Sequence, residues 1–156
     1  MKILLLDTKP TYWPPSSTTG KFQAPVSSKV FITFSIVHPD MSLKDMVDII
    51  AHSHRNLFPV TEESTGKLLG VVQLDDIRNI MFRPDLYRRV NVDRFMATPP
   101  AKVIVGTPME KVMKTFDETG AWNLPVIDEE GKYVGFVSKS KIFNSYRQVL
   151  KHYTYD

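Results

Sequence analysis

Cysteine is absent from the 156 residues. That excludes disulfides, thiol catalysis, iron–sulfur clusters and the usual zinc fingers, and it agrees with a reducing compartment. A strong charge of one sign is missing too. Twenty basic and 17 acidic residues leave a net +3, too small an excess to imply nucleic-acid binding by itself. Long apolar runs are also missing: the longest early one, Ile3–Leu6, is far short of the roughly 20 residues of a membrane helix. Lys2 before that run hints at a signal peptide, but Asp7 and Lys9 end it before an apolar core forms. No G-x-S-x-G and no G-x-x-x-x-G-K-[ST] occurs, and Ser138 has no base partner near it in sequence. The chain therefore reads as soluble and non-catalytic, with no direct membrane insertion. Its 42% hydrophobic and 24% charged residues are an ordinary globular balance, at a length suited to one domain or two very small ones.

Residues 1–28 differ from the rest. Pro10, Pro14, Pro15 and Pro25, with Ser16–Gly20 between them, discourage helix and strand alike. This segment is expected to be a linker or disordered tail, from which Trp13 or Phe22 can dock on the domain.

From residue 29 the chain repeats itself. Leu57-Phe58-Pro59-Val60 and Gly66-Lys67-Leu68-Leu69-Gly70-Val71-Val72 return as Asn123-Leu124-Pro125-Val126 and Gly131-Lys132-Tyr133-Val134-Gly135-Phe136-Val137, 66 and then 65 positions later. Leu43, Met46, Val47 and Ile50 match Met109, Val112, Met113 and Phe116. Each copy begins with a β-rich stretch, Val30 to Val37 or Ala101 to Val105. A helix with one apolar face follows. Ser42 with Asp45 gives an approximate capping box. In the second copy Thr107 is expected to cap, with Pro108 at the first helical position. Then come two strands joined by an acidic turn ending in Gly, Phe58–Thr61 to Lys67–Val72 and Leu124–Asp128 to Lys132–Val137. A closing helix ends each copy, Leu74–Phe82 or Lys139–Lys151. The expected fold is α+β (α/β-type): two strand-helix-strand-strand-helix repeats, residues 29–88 and 89–152, packed about a pseudo-twofold axis around one shared core.

That order and those residues resemble the CBS domain, which occurs mostly as tandem pairs. The resemblance covers residues 30 to 150. Asn56–Val60, Leu74–Tyr87, Thr119–Val126 and Gly135–Phe143 further resemble the cytoplasmic C-terminal CBS pair of bacterial CLC-type chloride channels and transporters. The resemblance implies a regulatory homodimer at the cytoplasmic face of the inner membrane, partnered by a CLC-type membrane domain. A stand-alone cytoplasmic sensor or interaction module, and an accessory domain of an enzyme, stay open as alternatives.

CBS pairs generally take adenine nucleotides between their copies, so the resemblance implies two candidate clefts. One combines Ser138 and Lys141 with Ile32, Thr33, Arg55, Asn56, Phe58 and Pro59. The other combines Gln73 and Asp76 with Val103, Trp122, Asn123, Leu124 and Pro125. Each keeps half of the family signature. Asp76 stands at the ribose-binding position, but Gln73 replaces the expected Thr or Ser; Ser138 is present, but Lys141 replaces the Asp. Lysine has only donors and cannot accept the ribose hydroxyl hydrogens, whereas Lys141 and Arg55 suit phosphates. Weak, salt-dependent binding of ATP, ADP or AMP is expected, the other reading being that both clefts are purely structural. Trp122 can stack on a base, although a Trp beside a buried strand more often packs.

Other constellations point elsewhere. His52 and His54 are two apart and lack zinc-ligand spacing on a helix, and Asp75, Asp76 and Asp85 fit solvated or capping roles better than Mg²⁺ ligation, so no metal is expected. Asp128-Glu129-Glu130 reads as a solvated turn. Arg83, Arg88, Arg89 and Arg94 cluster between the copies as a surface or interface feature without a nucleic-acid motif.

Overall fold

The computed structural model describes residues 25, 26 and 30–154. Most of the expected tail, Trp13 and Phe22 included, lies outside them. The elements are β1 (Phe31–Ile32), α1 (Leu43–Ala51), β2 (Leu57–Thr61), β3 (Leu68–Gln73), α2 (Leu74–Ile77), β4 (Val103–Ile104), α3 (Met109–Thr119), β5 (Asn123–Ile127), β6 (Tyr133–Ser138) and α4 (Lys139–Thr154). They fall into two compact units. The N unit is Thr33–Pro99 with the hairpin tip Ile127–Val134. The C unit is Pro100–Val126 and Gly135 onward, with the described residues up to Ile32.

Local chemistry accounts for most of the elements. Ser42 and Asp45 form a reciprocal capping box, each side chain accepting from the other's backbone N–H at 3.2 Å. Leu43 and Met46 turn that helix's buried face inward. Val112, Met113 and Phe116 do the same for α3, which stops at Gly120 with φ 70°, a left-handed end that favours glycine. In the second hairpin the Asp128 carboxylate accepts from the Glu130 and Lys132 N–H groups, both at 2.9 Å.

Several expectations are corrected. Pro108, not Thr107, is the N-cap of α3. The Thr107 hydroxyl is instead committed to the Ile104 carbonyl at 2.6 Å. The first β stretch is regular only at Phe31–Ile32, and Val37 then makes a lone parallel bridge to Val60. The first closing helix is regular only through Ile77 and continues as turns. Of the two roles expected for Asp75, the solvated one holds: it is exposed and pairs with Arg78 at 2.7 Å.

Where one shared interior was expected, the described buried apolar residues form a cluster in each unit. Val37, Met46, Phe58, Val60, Val72, Ile77 and Val92 pack in the N unit. Val26, Val103, Val112, Met113, Phe116, Leu124, Val126, Val137 and Ile142 pack in the C unit. Each fully buried side chain of this size contributes about 1.5–3 kcal/mol. Val26 and Val92 are 66 positions apart, so the repeat reaches further upstream than residue 29. Their backbones match: Val26 N–H donates to the Thr107 carbonyl (3.2 Å) and Val92 N–H to the Met41 carbonyl (2.9 Å). The leading segments are thus exchanged. The segment before copy one completes the unit built on copy two, and the segment before copy two completes the unit built on copy one.

The sheets repeat this exchange. In the C unit the strand order is β1-β6-β5-β4, with Phe31 opposite Val137 and Ile32 opposite Phe136 in antiparallel register. The N unit has the antiparallel hairpin β2-β3, flanked by single bridges from Ala97 to Val71 and from Val37 to Val60. Gly70 and Gly135 make room for the incoming backbone. A Cβ on Gly70 would lie 2.9 Å from the Ala97 carbonyl oxygen, and one on Gly135 would lie 3.2 Å from that of Ile32.

Candidate functional site

In each unit the strand after the helix begins where the closing helix starts, and one backbone bond ties them. Leu74 N–H donates to the Asn56 carbonyl at 2.8 Å, and Lys139 N–H to the Trp122 carbonyl at 2.9 Å. Both bonds join the residue three before the repeat's proline to the first residue of the closing helix.

The C unit thereby gathers candidates from both groups. Ser138 is only 9% exposed, and its hydroxyl lies 2.9 Å from that of Ser140. Lys141 is exposed on the first turn of α4. Ile32 pairs with Phe136 on the strand that delivers Ser138. Trp122 immediately precedes Asn123, Leu124 and Pro125 of β5, the strand beside Val103 of β4. Leu124, Pro125 and Val103 are buried.

Lys139 lies between these groups, and the family signature does not single it out. It is 3% exposed. Its Nζ sits 3.9 Å from Asp117 Oδ1 and 5.3 Å from the centre of the Trp122 ring. A buried ammonium is tolerable only with such partners. Trp122 itself is 65% exposed, which corrects the packing reading of that residue. The sequence signal for the cluster was the mismatch between copies: Lys139, Asp117 and Trp122 stand where copy one has Leu74, Ala51 and Asn56.

The N unit holds the remaining candidates. Phe58 and Pro59 are buried, while Thr33, Arg55, Asn56, Gln73 and Asp76 are exposed. Leu57 faces Gln73 across the hairpin, which brings Asn56 and Gln73 to the same end of it. The Arg55 guanidinium lies 5.1 Å above the Phe34 ring. The first turn of α2 carries Asp75 and Asp76, whereas that of α4 carries no acid. Ser138 and Lys141 therefore belong to the same unit as Trp122–Pro125, and Gln73 and Asp76 to the same unit as Arg55–Pro59. Among the described residues, no three His, Cys, Asp or Glu side chains are grouped to hold a metal ion. Among them too, no helix is long and apolar enough to cross a membrane.

The fold and these paired strand–helix junctions define a mixed α+β tandem repeat. The CBS domain family matches residues 27–83 and again 92–147. The chain belongs to that family and holds two copies of its domain. An uncharacterized protein of Methanocaldococcus jannaschii is 32% identical over 112 residues, which are 70% of this chain and 39% of that protein. The chain thus spans about two fifths of that relative's length. The CBS domain of a bacterial CNNM/CorC family Mg²⁺ transporter in complex with ATP superposes with a TM-score of 0.67 at 19% identity, covering 81% of this chain and 89% of that one. CBSX2 in complex with AMP gives 0.63 at 21% identity, covering 78% and 96%.

Proposed function

We propose that this CBS pair is a non-catalytic regulatory module that binds an adenine nucleotide weakly, chiefly through its phosphates. The start of α4 carries the reading. There the paired Ser138 and Ser140 hydroxyls and the exposed Lys141 stand at the N-terminal end of a 16-residue helix, with no acid in the first turn. Helix starts of this kind favour anions. Ser138 and Lys141 would take phosphate oxygens. Ile32, on the strand beside the one that delivers Ser138, would meet the base or sugar. Similar CBS folds bound to ATP and to AMP support the ligand class. In the N unit, the exposed Asp76 would offer a carboxylate to ribose hydroxyls.

Regulation would follow from differential affinity: a nucleotide shifts the pair between two arrangements only as far as it binds one better. The finer reading places the pair, as a homodimer, on the cytoplasmic side of a CLC-type chloride channel or transporter. It rests on the sequence resemblance at Asn56–Val60, Leu74–Tyr87, Thr119–Val126 and Gly135–Phe143. The similarity to the CBS domain of another transporter class is compatible with it. Membrane helices encoded just upstream would support this attachment; an enzyme domain there, or neither, would support the alternatives.

Calorimetry with ATP, ADP and AMP at two salt concentrations tests the proposal. Affinity should fall steeply with salt and rise with phosphate number. Lys141→Asp should weaken the triphosphate preference and improve recognition of the ribose. Tight, salt-insensitive binding, or an unchanged profile in the variant, rejects the assignment.

A further inference from the structure

Phe82, in the connection between the copies, is 76% exposed. The connection is nevertheless well tied. Met81 N–H donates to the Ile77 carbonyl (2.9 Å), Arg83 to Ile80 (3.0 Å), Leu86 to Arg83 (3.0 Å) and Arg89 to Leu86 (3.0 Å). The Tyr87 hydroxyl reaches back to the Met81 carbonyl at 2.9 Å, and Leu43 N–H anchors the far end to the Val90 carbonyl at 2.8 Å. Ile77 belongs to the core of the N unit and Ile80 packs against it. These neighbours hold the Phe82 ring outward.

The same stretch is basic. Arg83, Arg88, Arg89 and Arg94 are all exposed, against Asp85 and Asp93, while Arg78 is taken by Asp75 at 2.7 Å. The excess over residues 79–94 is two positive charges. Arg83 donates to Asp85 at 2.9 Å; this bond, with Arg89 also nearby, holds the Asp85 carboxyl below its ordinary range. Among the described residues no ion pair is formed by Arg88 or Arg94.

We propose that Phe82 and the exposed arginines of the same connection form a docking surface for an anionic lipid bilayer, the ring entering the interface and the guanidiniums meeting headgroup phosphates. A lone aromatic ring is too small for the core of a protein–protein interface, which takes about 800 Å² per partner. It suffices as a wedge when basic side chains supply the remaining attraction. A single-stranded nucleic acid would want a row of stacking rings along the basic track. Among the described residues of this connection, Phe82 alone is an exposed aromatic ring. The inference does not depend on nucleotide binding.

Vesicle co-sedimentation of the full chain tests it, using phosphatidylcholine alone and equal parts phosphatidylcholine and phosphatidylglycerol. The chain should bind the mixed vesicles reversibly, ignore the zwitterionic ones and dissociate as salt rises. Phe82→Ala, an exposed change that leaves the core intact, should weaken binding about tenfold. Arg88→Glu with Arg89→Glu should abolish it. The proposal is overturned by failure to bind the mixed vesicles, by equal binding to both, or by variants that bind like the parent. Full competition by inorganic phosphate would reveal a free-anion site instead, and Phe82-dependent preference for single-stranded RNA a nucleic-acid surface; either overturns it.

Discussion

The two closing-helix junctions have the same backbone and opposite chemistry. Both are tied by the same N–H to carbonyl bond, both follow a glycine that admits a neighbouring strand, and both units are completed by an exchanged leading valine. Yet α2 starts with Asp75 and Asp76 and is regular for four residues, while α4 starts with Lys139 and Lys141 and runs for 16. The frame is set by backbone bonds and buried apolar side chains. These tolerate almost any residue on the exposed side of the junction, so the copies were free to diverge in charge. One junction carries carboxylate acceptors, the other ammonium donors.

The sharpest test of that comparison is the Lys139–Asp117 pair, because copy one does without it. Asp117→Ala leaves a buried ammonium short of a carboxylate and should destabilise the chain by about 2–4 kcal/mol in urea unfolding. Adding Lys139→Leu recreates the Leu74 and Ala51 arrangement and should bring stability to within about 1 kcal/mol of the parent. If the double variant is as unstable as the single one, the junctions are not interchangeable and the shared-frame account fails.

The same contrast shows what could be read from residues alone. The hairpins, the capping box and both amphipathic helices were legible because each depends on neighbours a few positions apart. The doubled Pro-Val and Gly signals were legible because they recur in register. The leading-segment exchange was not, because only Val26 and Val92 mark it and one valine carries no period. The early end of regular α2 was missed because apolar Ile80 and Met81 extend the helical pattern past Ile77. Among the candidate site residues, Ser138 and Lys141 were named by family position. Lys139 was missed because lysine at a helix start ordinarily reads as solvated; only tertiary packing buries it.

A smaller effect separates the two glycines. The Ala97 carbonyl above Gly70 accepts from Val71 at 2.9 Å, and Ala97 N–H donates to Val71 at 2.8 Å, so that backbone cannot retreat without losing both bonds. Gly70→Ala should cost about 1–3 kcal/mol. Gly135→Ala, whose Cβ would still be crowded at 3.2 Å against 2.9 Å, should cost less, about 1 kcal/mol. Equal losses in thermal or urea unfolding would mean that the two crossings are equally tight, against the geometry.

The smallest expected effect concerns Tyr133, whose counterpart 65 positions earlier is the buried Leu68. Burial pushes the Tyr133 phenol above its ordinary 10.0, opposed by the N–H of Phe34, which donates to it at 3.4 Å. The folded state therefore holds its proton more tightly than the unfolded one. The associated stability is fully present below pH 10.0 and is lost as pH rises through the higher folded value. Tyr133→Phe cannot ionise and should flatten part of the alkaline decline in a urea-unfolding series. Its neutral-pH cost should be small, since the bond lost is long. An unchanged alkaline limb would show that the phenol is as accessible in the folded chain as in the unfolded one, so that this position of copy two is less enclosed than Leu68 is in copy one.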